Sequence, residues 1–165
     1  MKELKTAIPD RVRKGTISVA ERVSVLDKTC PHAVLATDAA GQPYTSLVAY
    51  ALTPDMKGVL FATPKATRKY RNILNNPRVS LLIDTRTNTP KDYMKAESVT
   101  ILGNARPIRR GKTRTELAEI FLKKHPKLEG IIHSRETALI FVQITMCIHV
   151  TKFQTVSVWD VAGGQ

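Results

Sequence analysis

A chain of 165 residues that is 42% hydrophobic has the material for one compact core, which excludes intrinsic disorder and predicts a single domain over residues 1–165. Its 26 Lys and Arg against 14 Asp and Glu leave a net charge of +12, so the surface attracts phosphate-bearing ligands, nucleic acid or anionic membrane without choosing among them. No stretch approaches the roughly eighteen apolar residues of a membrane span, and the N-terminus has no apolar signal-like run, so a cytoplasmic protein with no membrane partner is expected.

Residues 1–30 read as a polar, mixed-charge lead into a helix. Ile17, Ala20, Val23, Val25 and Leu26 recur at helical spacing, Ser18 supplies a cap, and Glu21 three residues on completes a capping box. Cys30-Pro31 stops that helix. HAVLAT then predicts a strand, DAAGQP a hairpin turn, and YTSLVAYAL, residues 44–52, a second strand. After the turn TPDMKG comes a third strand, VLFAT, ended by Pro64. From Thr67 the period turns helical through Tyr70, Ile73 and Leu74 until NNP closes it, and RVSLLID follows as a fourth strand.

Residues 85–96 form a polar loop, and SVTILGNARPI resumes as a strand with Gly103 a candidate bulge. Residues 112–126 give an amphipathic helix through Leu117, Ile120 and Phe121. TALIFVQITMCIHVTKF is a long, bent strand, and residues 151–165 read as a C-terminal tail. About six strands with hairpin connections and three helices predict a mainly β (α+β) fold, an antiparallel sheet curled into a barrel.

The segment FATPKATRKYRNILNNPR, residues 61–78, is the most informative. No acidic residue occurs between Asp55 and Asp84, while Lys57, Lys65, Arg68, Lys69, Arg71 and Arg78 are cationic. Arg68 and Lys69 fall in the first turn of the predicted helix, where the macrodipole disfavours cations, and a bound anion reverses that sign. A phosphate there has backbone N–H groups, a hydroxyl from Thr63 or Thr67, and charge-assisted bonds from Arg68 and Lys69 available to it. The competing reading is a solvated basic face. A second cluster, Arg106, Arg109, Arg110, Lys112 and Arg114, reads as a solvated patch. Cys30 and Cys147 show no ligand spacing and read as reduced core thiols, and His32, His125, His133 and His149 show no metal-ligand pattern.

With these residues in view, the chain resembles the pyridoxamine 5'-phosphate oxidase-like flavoproteins, the FMN-binding split barrels, over roughly residues 30–150. The resemblance rests on Ala62-Thr63 at the end of a strand, then Thr67-Arg68-Lys69, then Asn76-Pro77-Arg78 opening the next strand, with HAVLATDAAGQPYTSLVAY before them. It implies a six-stranded antiparallel Greek-key split β-barrel with flanking helices. It also implies FMN as cofactor, a homodimer with FMN at the subunit interface, and a small-molecule redox substrate for an FMN-dependent oxidoreductase.

Carried over by position, Thr63, Arg68 and Lys69 hold the phosphate, and Ser46, Leu47 and Val48 present backbone to the isoalloxazine edge. Ser98 matches a position where the oxidases often carry a Gln near the flavin. Trp159 either covers the cofactor, from the tail or from a dimer partner, or anchors the C-terminus on the barrel. The family's early Arg on the second strand and its C-terminal Arg-x-His are missing here, so the resemblance implies the cofactor site without vitamin B6 oxidation.

Two other readings compete. A haem-binding or haem-handling protein on the same barrel requires a histidine ligand such as His32 or His149. A nucleic-acid-binding barrel would use the +12 charge, but four Phe, four Tyr and one Trp spread along the chain give few stacking platforms, which disfavours it.

Overall fold

The computed structural model describes residues 11–163, so the first ten residues of the expected N-terminal lead lie outside it. A two-residue strand β1 (Arg13–Lys14) leads into α1 (Val19–Thr29). Ser18 caps α1 by accepting a hydrogen bond from the Glu21 N–H at 3.4 Å, as its sequence position predicts. Ile17 lies before the helix and is 42% exposed, so the buried face runs through Val19, Val23 and Leu26 instead.

Strands β2 (His32–Ala39) and β3 (Gln42–Leu52) form a hairpin whose turn places Ala40 and Gly41 at positive φ. That left-handed pair matches the twist of the strands it joins. Then come β4 (Gly58–Pro64), α2 (Arg68–Asn75), β5 (Arg78–Asp84), and a one-turn α3 (Asp92–Lys95) inside the segment read as a loop. Strand β6 (Glu97–Pro107) carries a register shift between Leu102 and Gly103, where the bulge was expected. The chain continues through α4 (Lys112–Lys124), a short α5 (Glu129–His133), β7 (Thr137–Thr151) and β8 (Thr155–Asp160).

The sheet runs β7-β4-β3-β2-β5-β6, and β6 pairs back onto β7, closing six antiparallel strands into a Greek-key split barrel. Strand β8 adds to the free edge of β7, with β1 parallel to it. The expected C-terminal tail therefore contains a strand.

Two apolar layers explain the sequence runs. Inside the barrel, Leu35, Tyr50, Phe61, Ile101 and Ile140 pack with Val23 and Leu26 of α1. Outside it, Leu60 and Leu139 pack beneath Ala118 and Phe121 of α4 and Ile132 of α5. Strands β4 and β7 are buried on both faces, which is why VLFA and ALIF lack alternation. Cys147 lies in the inner layer, where burial pushes its thiol up to about 12 and leaves it inert. Among the described residues no helix is long and apolar enough to cross a membrane.

Candidate functional site

The barrel is open at one seam. Strands β3 and β4 pair only from Tyr50–Phe61 to Leu52–Val59, although β3 continues back to Gln42 and β4 on to Pro64. Beyond Tyr50 the two strands part, and the β4-facing backbone edge of β3 has no ladder partner among the described residues. A groove of about 580 Å³ fills the gap, with Leu47, Val48, Ala62, Thr63 and Lys69 among its lining residues. Phe121 and Leu128 supply an apolar wall. Leu47 is 66% exposed at its rim, and Ser46 Oγ, next to it, is buried without a hydrogen-bond partner among the described residues.

The α2 end of the groove is built around two threonines. The Thr67 hydroxyl donates to the Pro64 carbonyl at 2.8 Å and accepts from the Tyr70 N–H at 3.4 Å, which makes it the helix cap. Its one hydrogen being committed, the Thr63 hydroxyl, 2.9 Å away and almost fully buried, is the donor between the two. Thr67 therefore shapes the helix start and keeps no hydrogen for a ligand. The N–H groups of Arg68 and Lys69 remain free in the first turn. Asn72 locks α2 onto β2 by donating to the Thr37 hydroxyl at 3.0 Å, with both side chains buried.

Glu136 is the carboxylate that lines the groove with Lys69, and it forms no ion pair among the described residues. Among the described residues, Lys65, Arg68, Lys69 and Arg71 form no ion pair. Arg71 donates to the Ala66 carbonyl at 3.1 Å, and the Arg68 guanidinium lies 4.9 Å from the centre of the Tyr44 ring. The helix has no acid in its first turn. Unpaired first-turn cations, free N–H groups and an open strand edge together form a donor set for a ligand with a phosphate at one end and a flat, hydrogen-bonding body.

Of the ten residues singled out from sequence, Leu47, Val48, Ala62, Thr63 and Lys69 line this groove, with Ser46, Thr67 and Arg68 immediately beside them. Ser98 and Trp159 lie elsewhere. Ser98, the second residue of β6, lines a separate hollow of about 360 Å³ with Tyr93 and Phe153, and Trp159 sits on β8 opposite Cys147. The sequence reading missed the far wall, Leu128 to Ser134, because α5 spans too few residues to show a period.

The histidines differ in availability. His149 is fully buried, with Nε2 2.8 Å from Glu97 Oε2. His125 Nε2 lies 2.7 Å from the Tyr50 carbonyl, which only accepts, so that nitrogen carries the proton; burial holds the ring's pKa below its ordinary value. His32 and His133 are exposed.

A family model described as Pyridoxamine 5'-phosphate oxidase matches residues 20–146, most of the chain and the whole of the groove. The chain belongs to the pyridoxamine 5'-phosphate oxidase family. Comparison with curated proteins gives no match.

Solved structures similar to this family member include a haem-binding protein from Mycobacterium smegmatis, with TM-score 0.76 and 18% identity over 88% of this chain and 59% of that one. An FAD-binding protein from Mesorhizobium loti gives TM-score 0.63 and 19% identity, covering 81% and 92% of the two chains. The haem storage protein HutZ from Vibrio cholerae gives TM-score 0.63 and 17% identity, covering 78% and 91%. At these identities the likeness carries the fold of the pyridoxamine 5'-phosphate oxidase family alone.

Proposed function

We propose that this protein binds FMN in the groove between β3 and β4 and is an oxidoreductase acting on a small-molecule redox substrate. The supporting observation is the parting of β3 from β4 beside a helix start whose Arg68 and Lys69 lack carboxylate partners among the described residues. Arg68, Lys69 and the free N–H groups of the first turn hold the phosphate, with Thr63 beside them. The β3 edge from Ser46 to Val48 offers backbone donors to the ring, and Phe121 and Leu128 exclude water from one side. FMN supplies the electron transfer, and backbone donors at the ring favour its reduced, negatively charged form.

A homodimer completes this reading, a second copy bringing Ser98 and Trp159 to the groove they do not reach within one chain. Exposed Leu47 at the rim and exposed Val158 beside Trp159 are apolar surfaces suited to that contact. Strand β3 carries no arginine at the place where the resembled oxidases hold the vitamin phosphate, which supports a different substrate.

The test is the visible spectrum of the purified protein before and after adding FMN. One flavin per chain is expected, and Arg68→Ala with Lys69→Ala should weaken uptake by roughly two orders of magnitude while the far-UV spectrum stays unchanged. Unaltered flavin affinity in that variant would overturn the assignment. Haem is the second reading, favoured by the haem proteins among the similar structures and by exposed His133 at the end of α5, whose Gly130 and Ile131 line the same groove. A haem spectrum lost in His133→Ala, with no flavin uptake, would put haem in FMN's place.

A further inference from the structure

Two basic clusters far apart in sequence meet across one hollow. Lys65 at the end of β4 and Arg109, Arg110 and Arg114 around the start of α4 line a cavity of about 520 Å³ together with Tyr70. No Asp or Glu lines it, and none of these four cations is ion-paired among the described residues. Two of the four heads are fixed by backbone carbonyls, Lys65 Nζ on Arg135 at 2.8 Å and Arg114 on Ile132 at 2.7 Å. A carbonyl positions a cation without neutralising it, so the charge is held in place and left unsatisfied.

The start of α4 adds to this. Gly111 at its cap, with φ 138°, contributes no side-chain bond, and the first turn carries no acid. Lys112 and Arg114 stand there instead, where the macrodipole disfavours them. A second hollow of about 500 Å³ shares Pro107 to Arg110 with the first and continues the basic lining to Arg106 and Lys112. Sequence alone reads this cluster as a solvated patch; the fold closes it against Lys65 and Tyr70.

We infer that this hollow is a second anion site, taking the phosphate chain of a small polyphosphate-bearing molecule. Four cations lining one hollow, with more along the continuing hollow, exceed what a single phosphate of charge about −2 requires. Tyr70 is the only aromatic residue lining the first hollow, which gives single-stranded nucleic acid no row of stacking platforms. The hollow and the β3–β4 groove share only Thr137 and none of their cations, so the two ligands lie side by side without competing for charge.

The experiment titrates the full chain with inorganic tripolyphosphate by calorimetry at about 0.15 M salt, first without flavin, so that it stands or falls independently of FMN. Saturable binding of one ion per chain is expected, weakened roughly tenfold or more by Arg109→Ala with Arg110→Ala and by the single Arg110→Glu. Both sites are exposed, so the variants should melt as the parent does. Arg68→Ala with Lys69→Ala should leave tripolyphosphate binding intact, and the Arg109/Arg110 variants should leave FMN affinity intact. The inference is overturned by the absence of saturable binding, by loss in the Arg68/Lys69 variant, or by tighter, steeply salt-dependent binding of a single-stranded oligonucleotide through the same arginines.

Discussion

The barrel has two seams, and they are built in opposite ways. Strands β6 and β7 pair along eleven registered positions, from Glu97–Thr151 to Pro107–Ile140, whereas β3 and β4 pair along three. At the closed seam charge is matched: Glu97 accepts from Arg22 of α1 and sits 2.8 Å from His149, although His149 Nδ1 stays buried without a partner among the described residues. At the open seam, among the described residues, Arg68 and Lys69 form no ion pair, although Glu136 lines the groove with Lys69, and a strand edge lies unpaired. The first seam uses its charges to hold the barrel together, whereas under the proposed function the second keeps them for a ligand.

The largest effect should come from the closed seam. The Arg22 guanidinium donating to Glu97 holds that carboxyl below its ordinary range, against a smaller opposing push from burial. Glu97→Gln should cost about 2 kcal/mol at neutral pH in urea unfolding, below the full cost of breaking a buried pair because Arg22 keeps part of its hydration. The sign with pH follows from the lowered carboxyl. Glu97's contribution is fully present above its unfolded value of about 4.3 and is lost as pH falls through the lower folded value. The variant should therefore lose less stability than the parent on acidification. An unchanged midpoint at neutral pH would mean that the triad contributes nothing to closure.

The bulge in the same seam should come next. A Cβ on Gly103 would lie 2.4 Å from the Gln143 carbonyl oxygen and 2.7 Å from Val142 Cγ1, and the backbone contact cannot swing away. Gly103→Ala should cost about 1.5 kcal/mol through local overpacking, with flavin uptake retained because the open seam is elsewhere. Loss of uptake at full stability would instead couple the two seams.

The six barrel strands are legible because apolar runs and turn residues mark them, and the two longer α-helices are legible from Ser18 and from the Leu117–Phe121 stripe. Strand β8 is not. Its hairpin turns through Lys152 and Phe153, both at positive φ, where Gly or Asn would have signalled a turn, so TVSVWD reads as tail. The cationic end of the groove can be read from Thr67-Arg68-Lys69 and an acid-free stretch. The parting of β3 from β4 cannot, since YTSLVAYAL reads as one continuous strand and no turn residue marks where its pairing with β4 stops. Nor can the meeting of Lys65 with Arg109, Arg110 and Arg114, which exists only once β4 and the start of α4 are neighbours.

The smallest effect bears most directly on what separates the seams. Lys69 stands in the first turn of α2 against the macrodipole, lines the groove, and has no ion-pair partner among the described residues. Lys69→Glu reverses the charge at a position where an acid is favourable by about 0.3–1 kcal/mol, so the variant should unfold at slightly higher urea than the parent. The same change places a carboxylate where the phosphate is to sit, and flavin uptake should vanish. A gain in stability with a loss of binding would show that folding alone selects against this lysine and that the ligand is what keeps it. A loss of both would make Lys69 part of the scaffold and dissolve the contrast between the seams.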